Sequence, residues 1–352
     1  MRYLLFIGLF ALSRVGCAQS LPKDYTFSNV GMTFLSVSSD ARSAGLGELG
    51  VATLPDAYSH QHNAAKYLFM DSRHRSSVNF FYVPWLRKLV NDMSIAGASA
   101  YYKIGQEQSV SVSFRYFSLG KLQKTDENMQ PLGEESPHEL AFDAAYAHRL
   151  GKYFSMSVLF RLAVSDIVQS YRKAYVVACD LCGYYERPFP TNKTIYKLGI
   201  GFGLYNIGNK INYGMQNKLF LPTELKVGIN CSATFTKVHG LSIGIEGGKY
   251  LVTSDKYDWN HSVIKSMGHA FTSEEILRIY WKTGLEYHFH ELLYGRLGYC
   301  HEGKSGLQRQ YMTFGAGLRF MRIHFDAAYI VPQSRHSHPM DNSFRLSAGI
   351  SF

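Results

Sequence analysis

The run Phe154-Ser155-Met156-Ser157-Val158-Leu159-Phe160-Arg161-Leu162-Ala163-Val164-Ser165 decides the fold. Met156, Val158, Phe160, Leu162 and Val164 are apolar, and the residues between them are mostly polar or small. Successive side chains of a strand point to opposite faces, so this segment has one greasy side and one wet side. The pattern returns in Val110/Val112/Phe114/Tyr116 against Ser109/Ser111/Ser113/Arg115. It returns in Tyr196/Leu198/Ile200/Phe202/Leu204 against Lys197/Gly199/Gly201/Gly203, and in Met312/Phe314/Ala316/Leu318/Phe320 against Thr313/Gly315/Gly317/Arg319. A soluble sandwich alternates in the same way. These runs, however, last about ten residues, the length of a strand that crosses a bilayer at a tilt, rather than the usual five or six.

The chain also ends on an alternating run, Phe344, Leu346, Ala348, Ile350 and Phe352. A terminal aromatic in that setting resembles the assembly signal of bacterial outer-membrane barrels. The 352 residues are 46% hydrophobic and 14% aromatic, with 31 Gly, and only 18% are charged. A charged fraction below the roughly 25% of soluble domains argues against disorder. No stretch approaches the roughly 20 consecutive apolar residues of a membrane helix. The expectation is an all-β transmembrane outer-membrane barrel, which hides its hydrophobicity in alternate residues. The net charge of +10 is scattered without a basic run or a recognition helix, so no nucleic acid is expected. An anionic lipid surface, or a plainly solvated one, accounts for it better.

Met1-Arg2, the apolar run Tyr3 to Leu12, and Gly16 and Ala18 before Gln19 read as a secretory signal peptide spanning 1–18. Residues 34–70 do not alternate and are small, polar and Gly-rich. Residues 19–72 are therefore expected to form a hatch folded back into the lumen, with the barrel over 73–352.

Alternating segments fall near 74–83, 93–103, 108–118, 138–149, 154–165, 194–205, 222–234, 240–250, 278–289, 293–301, 309–320, 322–330 and 342–352. Bacterial single-chain barrels use an even number of strands, so a short strand at 210–214, after a tight turn at Asn206-Ile207-Gly208-Asn209, brings the expected total to about fourteen. With both ends in the periplasm, the long connections fall outside: 84–92, 119–137, 166–193, 215–221, 251–277, 302–308 and 331–341. That asymmetry is normal for such barrels. In this frame Cys231 faces lipid and Cys300 faces the lumen, so they cannot pair. Cys179 and Cys182 lie in the 166–193 loop, where a local disulfide is the first expectation and free thiols the second.

Several motifs carry no chemistry in this setting. Gly45-x-Gly47-x-x-Gly50 matches a dinucleotide fingerprint, but no βαβ unit surrounds it. His138-Glu139, His290-Glu291 and His301-Glu302 lack the second His of a zinc-protease motif. No G-x-S-x-G elbow occurs. No catalytic residue, metal or cofactor is expected. Arg115, Arg161, Lys197, Glu246, Lys282, Glu286, Arg319 and Asp326 all fall on the lumenal face, either as structural filling or along a substrate path.

Tyr82-Val83-Pro84-Trp85-Leu86-Arg87-Lys88-Leu89-Val90-Asn91-Asp92 resembles the first-loop signature of the PorV family, an outer-membrane component of the type IX secretion system. Arg115-Tyr116-Phe117-Ser118-Leu119-Gly120, Asn206-Ile207-Gly208, Leu221-Pro222-Thr223 and Tyr329-Ile330-Val331-Pro332 match in order. Ser39-Asp40-Ala41-Arg42-Ser43-Ala44-Gly45 and Gly50-Val51-Ala52-Thr53 resemble its hatch. The resemblance spans nearly the whole mature chain and implies a FadL-like fold of about fourteen strands with a hatch that includes Asp40, Arg42, Gly45 and Asn63. Where the wider family has Asn-Pro-Ala, this chain has Asn63-Ala64-Ala65, which frees the backbone of the hatch there.

The resemblance also implies a non-enzymatic carrier in the outer membrane of a Gram-negative bacterium, its loops facing the cell surface. Such a carrier takes secreted proteins with a type IX C-terminal domain from the translocon channel. It hands them to a sortase-like attachment protein, and lipids and lipopolysaccharide surround it. Trp85, Leu86, Arg87, Asn91 and Asp92 are then the candidate contacts with cargo or partner, since Trp and Arg commonly anchor interfaces. Trp85 could equally belong to an interfacial aromatic girdle. The other readings are a FadL-type channel for hydrophobic small molecules and a lipid A deacylase.

Overall fold

A computed structural model describes residues 29–71, 74–85, 92–126, 128, 130–167, 172–215, 217–235, 238–252, 261–272, 279–302, 310–333 and 343–352. The expected signal peptide, 1–18, and residues Leu86, Arg87 and Asn91 lie outside them. The strands are β1 (Ser76–Pro84), β2 (Met93–Ile104), β3 (Gln108–Leu119), β4 (Leu122–Thr125), β5 (Pro131–Glu135), β6 (His138–Gly151), β7 (Phe154–Asp166) and β8 (Ala174–Pro190). They continue with β9 (Thr194–Gly208), β10 (Glu224–Phe235), β11 (His239–Tyr250), β12 (Ile279–Phe289), β13 (Leu293–Glu302), β14 (Gln310–Phe320), β15 (Ile323–Pro332) and β16 (Phe344–Ser351). All but β4 and β5 pair with antiparallel neighbours, and β1 on β16 closes a fourteen-strand barrel. β4 and β5 form a separate two-stranded ribbon beyond the rim.

Closure leaves no free edge in the wall, so backbone polar groups are satisfied where no water reaches. The sidedness follows the alternation. In β7, Phe160 and Leu162 are 64% and 58% exposed, while Ser155, Ser157, Arg161, Ala163 and Ser165 are buried. The outward side chains form the lipid-facing band, and the inward ones line the lumen.

The total of fourteen strands agrees with the sequence reading, but one strand differs. The fourteenth strand is β8, which lies within the expected loop 166–193. Residues 210–214 contribute only an isolated bridge, Ile211 to Leu219. β8 escapes the alternation test because Ala174, Val176 and Ala178 point inward and are apolar, so its outer half is greasy on both faces. Asn206-Ile207-Gly208 consequently sits at the outer end of β9 and makes no periplasmic turn. Asn206 has a left-handed backbone (φ 57°) where the β8–β9 register shifts. The outer connections become 167–173 and 209–223, and 191–193 is a short periplasmic turn.

This placement also removes the expected disulfide. Cys179 and Cys182 are both free thiols. They lie three residues apart on one strand, so Cys182 is buried on the lumenal side and Cys179 sits on the other face. Cys231 is exposed and Cys300 buried, on the faces expected.

Residues 29–71 run through the lumen. Phe220, in the outer connection 209–223, donates to the Asn29 carbonyl (2.8 Å) and accepts from Gly31 N–H (3.0 Å). A short helix, α1 (Ala41–Gly45), packs on β13 to β16. At the periplasmic end Lys103 Nζ donates to the Met70 carbonyl (3.0 Å), and Arg149 donates to the carbonyl of Leu68. The chain thus enters the lumen at its outer mouth and leaves at its base to begin β1.

Candidate functional site: the filled lumen and its outer mouth

Asp40 caps α1, its Oδ1 accepting from Ser43 N–H (2.8 Å), and its Oδ2 meets His62 Nε2 (2.7 Å). That cap directs Arg42 into the wall. Arg42 pairs with Asp56 (2.5 Å) and Glu286 (2.8 Å), Glu286 with Arg296 (2.6 Å), and Arg296 with Asp326 (2.7 Å). All five side chains are at most 4% exposed. A second chain joins Arg115, Asp143, Arg161 and Asp180 at 3.0, 2.8 and 3.1 Å. A third places Glu48 between Arg345 (2.9 Å) and Lys282 (3.8 Å). Glu246 accepts from the Gly50 and Val51 N–H groups (3.0 Å each). Charges buried this deeply persist only when paired. Two of these networks bolt the inner segment to the wall, and the second reaches it through Arg115 and the Leu35 carbonyl (3.3 Å).

The environment acts on the titratable groups of the inner segment. Burial by itself would raise the Asp56 carboxyl, but the charges of Arg42 and Lys66 outweigh it and hold Asp56 well below the usual carboxylate range. Burial pushes Lys66 down to about 8 and His60 down to about 4. His60 is therefore a neutral imidazole at physiological pH, with its Nδ1 2.7 Å from Ser111 Oγ.

Glycine lets the two backbones touch. A Cβ on Gly298 of the wall would lie 2.0 Å from Gly47 N, and one on Gly45 would lie 2.9 Å from Gly315 Cα. The Gly45-x-Gly47 spacing, which resembles a nucleotide fingerprint, thus serves close packing against wall glycines.

Asn63 fixes the backbone beside the missing proline through its own side chain. Its Nδ2 donates to the carbonyls of Val51 (3.1 Å) and Gly183 (2.9 Å), and its Oδ1 accepts from Ala65 N–H (3.1 Å), capping the 3₁₀ turn Ala64–Phe69. Asn63 is extended (φ −166°, ψ 96°), a backbone that tolerates a following proline, and position 64 is the first of the turn, where proline is favoured. Ala64→Pro should therefore stabilise the protein by about 0.4–1 kcal/mol through the unfolded state. Denaturant midpoints of the two proteins check this, and a lower midpoint would show that the buried site has no room for the ring.

At the outer mouth Met32, Phe34 and Leu35 of the inner segment pack among Phe81, Val83, Ile95, Phe117, Val176, Ile211 and Leu221. Trp85 is half-buried. It packs inward on this cluster, with its ring 6.1 Å from that of Phe117, and on Cys300, Tyr311 and Ile330. All these partners lie on the lumenal side, so Trp85 does not join a lipid-facing girdle. Asp92 is exposed. Asp40, Arg42, Gly45 and Asn63 come together inside the barrel, whereas Trp85 and Asp92 stand at the mouth. The sequence reading missed Glu48, Asp56, Asp143 and Arg345, although strand parity already turned Asp143 and Arg345 inward. Of the expected lumenal charges, Lys197 and Arg319 are half-buried and the rest buried.

Two motifs distant in sequence meet here. Thr223 Oγ1 donates to the Asn206 carbonyl (3.0 Å), and Asn206 Nδ2 donates to the Pro222 carbonyl (3.0 Å). Asn206 N–H also donates to Asp180 (2.6 Å), and Arg161 donates to its side chain. The Asn206 bulge therefore ties the outer connection 209–223 to the buried charges. Among the described residues the lumen holds a polar cavity of about 30 Å³, room for about one or two waters, bordered by Ser38, Glu48, His62, Arg115, Lys226 and Lys282 among others.

A closed fourteen-strand barrel with lipid-facing outer residues and an occupied lumen is an integral outer-membrane β-barrel protein. The toluene transporter TbuX of Ralstonia pickettii superposes with a TM-score of 0.50 at 10% identity, covering 89% of this chain and 98% of that one. The toluene transporter TodX of Pseudomonas putida gives a TM-score of 0.51 at 10% identity, covering 90% and 97%. At that identity the likeness concerns the fold alone. No curated protein is significantly similar in sequence. The sequence profile described as "Type IX secretion system protein PorV" matches residues 23–257. The chain belongs to the PorV family and is an outer-membrane protein of type IX secretion, its long connections facing the cell surface.

Proposed function

We propose that this protein is a sealed carrier that works from its outer face. It receives secreted cargo through the type IX C-terminal domain after translocation and delivers it to the surface attachment complex, which includes a sortase-like protein. The inner segment is its hatch. The observation that carries this reading is the filled lumen. Ion pairs and glycine contacts bolt residues 29–71 in place, the apolar mouth is occupied by Met32, Phe34 and Leu35, and the polar cavity beside Arg115 and Lys282 is water-sized. A channel for hydrophobic molecules needs an apolar path, and this interior offers buried charges instead. Work at the outer rim agrees with the family and with the size of the outer connections.

The candidate contacts are the connection 85–92, including Trp85, Leu86, Arg87, Asn91 and Asp92, and its neighbours on the same rim. Trp85 serves as an anchor that holds the base of that connection on Phe117. Purified barrel in nanodiscs should capture a tagged cargo C-terminal domain. Trp85→Ala should weaken that capture by about fivefold, the effect of roughly 1 kcal/mol lost in seating the connection that bears the contacts. Equal capture of an unrelated β-domain would overturn the carrier reading, as would unchanged surface cargo in a deletion strain.

A further inference from the structure

The net charge of +10 asks for an anionic partner, and the periplasmic rim supplies a place for one. The β8–β9 hairpin projects below the β6–β7 turn, since Phe154 pairs with Tyr185 while β8 continues to Pro190. On its lipid-facing side Arg187 lies over the rings of Tyr153 (5.7 Å) and Phe189 (5.1 Å). Lys152 Nζ lies over the same Tyr153 ring at 5.2 Å, and Tyr185 packs edge-on against Tyr153 at 6.2 Å. Lys152 and Arg187 are exposed, and neither has a carboxylate partner among the described residues. Glu186, next to Arg187 in the chain, faces the lumen, where it holds Lys197 (3.1 Å) and Tyr184 (3.0 Å). Above the cluster the outer surface is apolar, with Leu181 and Phe202 exposed and Phe202 stacked on Phe154.

We propose that Lys152 and Arg187 bind the phosphate headgroup of an anionic phospholipid in the periplasmic leaflet. The rings of Tyr153, Tyr185 and Phe189 seat its glycerol region, and the acyl chains run up the band above. Three features select this ligand. Cations without internal partners attract a phosphate. Amphipathic rings favour the interface. Continuity with the lipid-facing band distinguishes a lipid from a soluble anion.

Native mass spectrometry of the delipidated barrel, with added phosphatidylglycerol or phosphatidylcholine, tests the assignment. The wild type should retain phosphatidylglycerol preferentially. Lys152→Gln and Arg187→Gln should each lower that retention about fivefold. Lys121→Gln at the opposite rim should leave it unchanged, and heat-modifiable gel migration checks that each variant is folded. Equal retention of the two lipids, or unaltered retention in the folded double variant, would overturn the site. Displacement of the lipid by excess inorganic phosphate alone would mark a soluble-anion site and overturn the lipid assignment.

Discussion

Arg42→Ala should release the inner segment from the wall. The substitution strands Glu286 and Asp56, two carboxylates at most 4% exposed, and removes the donor to the Leu54 carbonyl (2.8 Å). Breaking a buried ion pair from one side costs about 3–5 kcal/mol, because the remaining charge stays desolvated. Glu286 keeps Arg296 and Asp56 keeps Ser59, which places the expected loss within that range rather than above it. A cost of this size raises the population of displaced segment by roughly a hundredfold to a few thousandfold. Two readouts follow. Protease should cut within residues 46–62 in the folded variant while sparing the wild type, and planar bilayers should show ion conductance only for the variant. Arg42→Lys, which keeps a charge but loses the fork, should lie between the two. A variant as closed and as protease-resistant as the wild type would show that the ion pairs do not hold the segment.

Gly298→Ala should have the second largest effect, although it adds a single methyl group. The new Cβ would stand 2.0 Å from Gly47 N and 2.2 Å from Leu46 C, and backbone atoms cannot swing aside as a flexible side chain can. Overpacking of a tight interior typically costs about 1–3 kcal/mol. Contact with two backbone atoms puts this case at the upper end, with residues 45–50 displaced. Gly295 supplies an internal control. It lies on the same strand, and a Cβ there meets nothing within 4 Å. Gly295→Ala should be neutral, or more stable by about 0.4–1 kcal/mol through the unfolded chain. Denaturant titration of both variants in one detergent separates the two outcomes. If Gly298→Ala were as mild as Gly295→Ala, the backbone contact of hatch and wall would be wrong.

The two predictions draw on features that were legible to different degrees. The barrel itself was readable, because lipid on one side and a polar lumen on the other imprint a period of two on strands such as β7. The same logic explains the failure at β8. There the inward residues Ala174, Val176 and Ala178 meet Phe34 and its neighbours, so the lumenal face turns apolar and the alternation vanishes. Moving that strand relocated Cys179 and Cys182 from a loop onto opposite faces of a wall, and with them went the disulfide. Asp40, Arg42, Gly45 and Asn63 could be singled out by the local composition and by the family resemblance, but their partners could not. Glu286 lies 244 residues from Arg42, and Gly298 meets Gly47 only once the wall has closed. Contacts of that kind belong to topology, and a single sequence carries no local trace of them. Trp85 shows the reverse case. Sequence marked it as an anchor or a girdle residue, and packing turned its ring inward onto Phe117.

The central claim is that cargo is handled at the outer mouth of a barrel that stays shut. Ala41 N–H donates to Ser347 Oγ at 2.8 Å, so these two positions touch, and a barrel whose A41C/S347C pair is shown by thiol titration to have oxidised has its inner segment stapled to β16. The decisive measurement is the affinity of a cargo C-terminal domain for the A41C/S347C barrel in nanodiscs, oxidised and then reduced. The account predicts the same affinity in both states, equal to that of the wild type, with no conductance in the oxidised one. Loss of binding on oxidation and recovery on reduction would mean that cargo requires the hatch to open, and would contradict it.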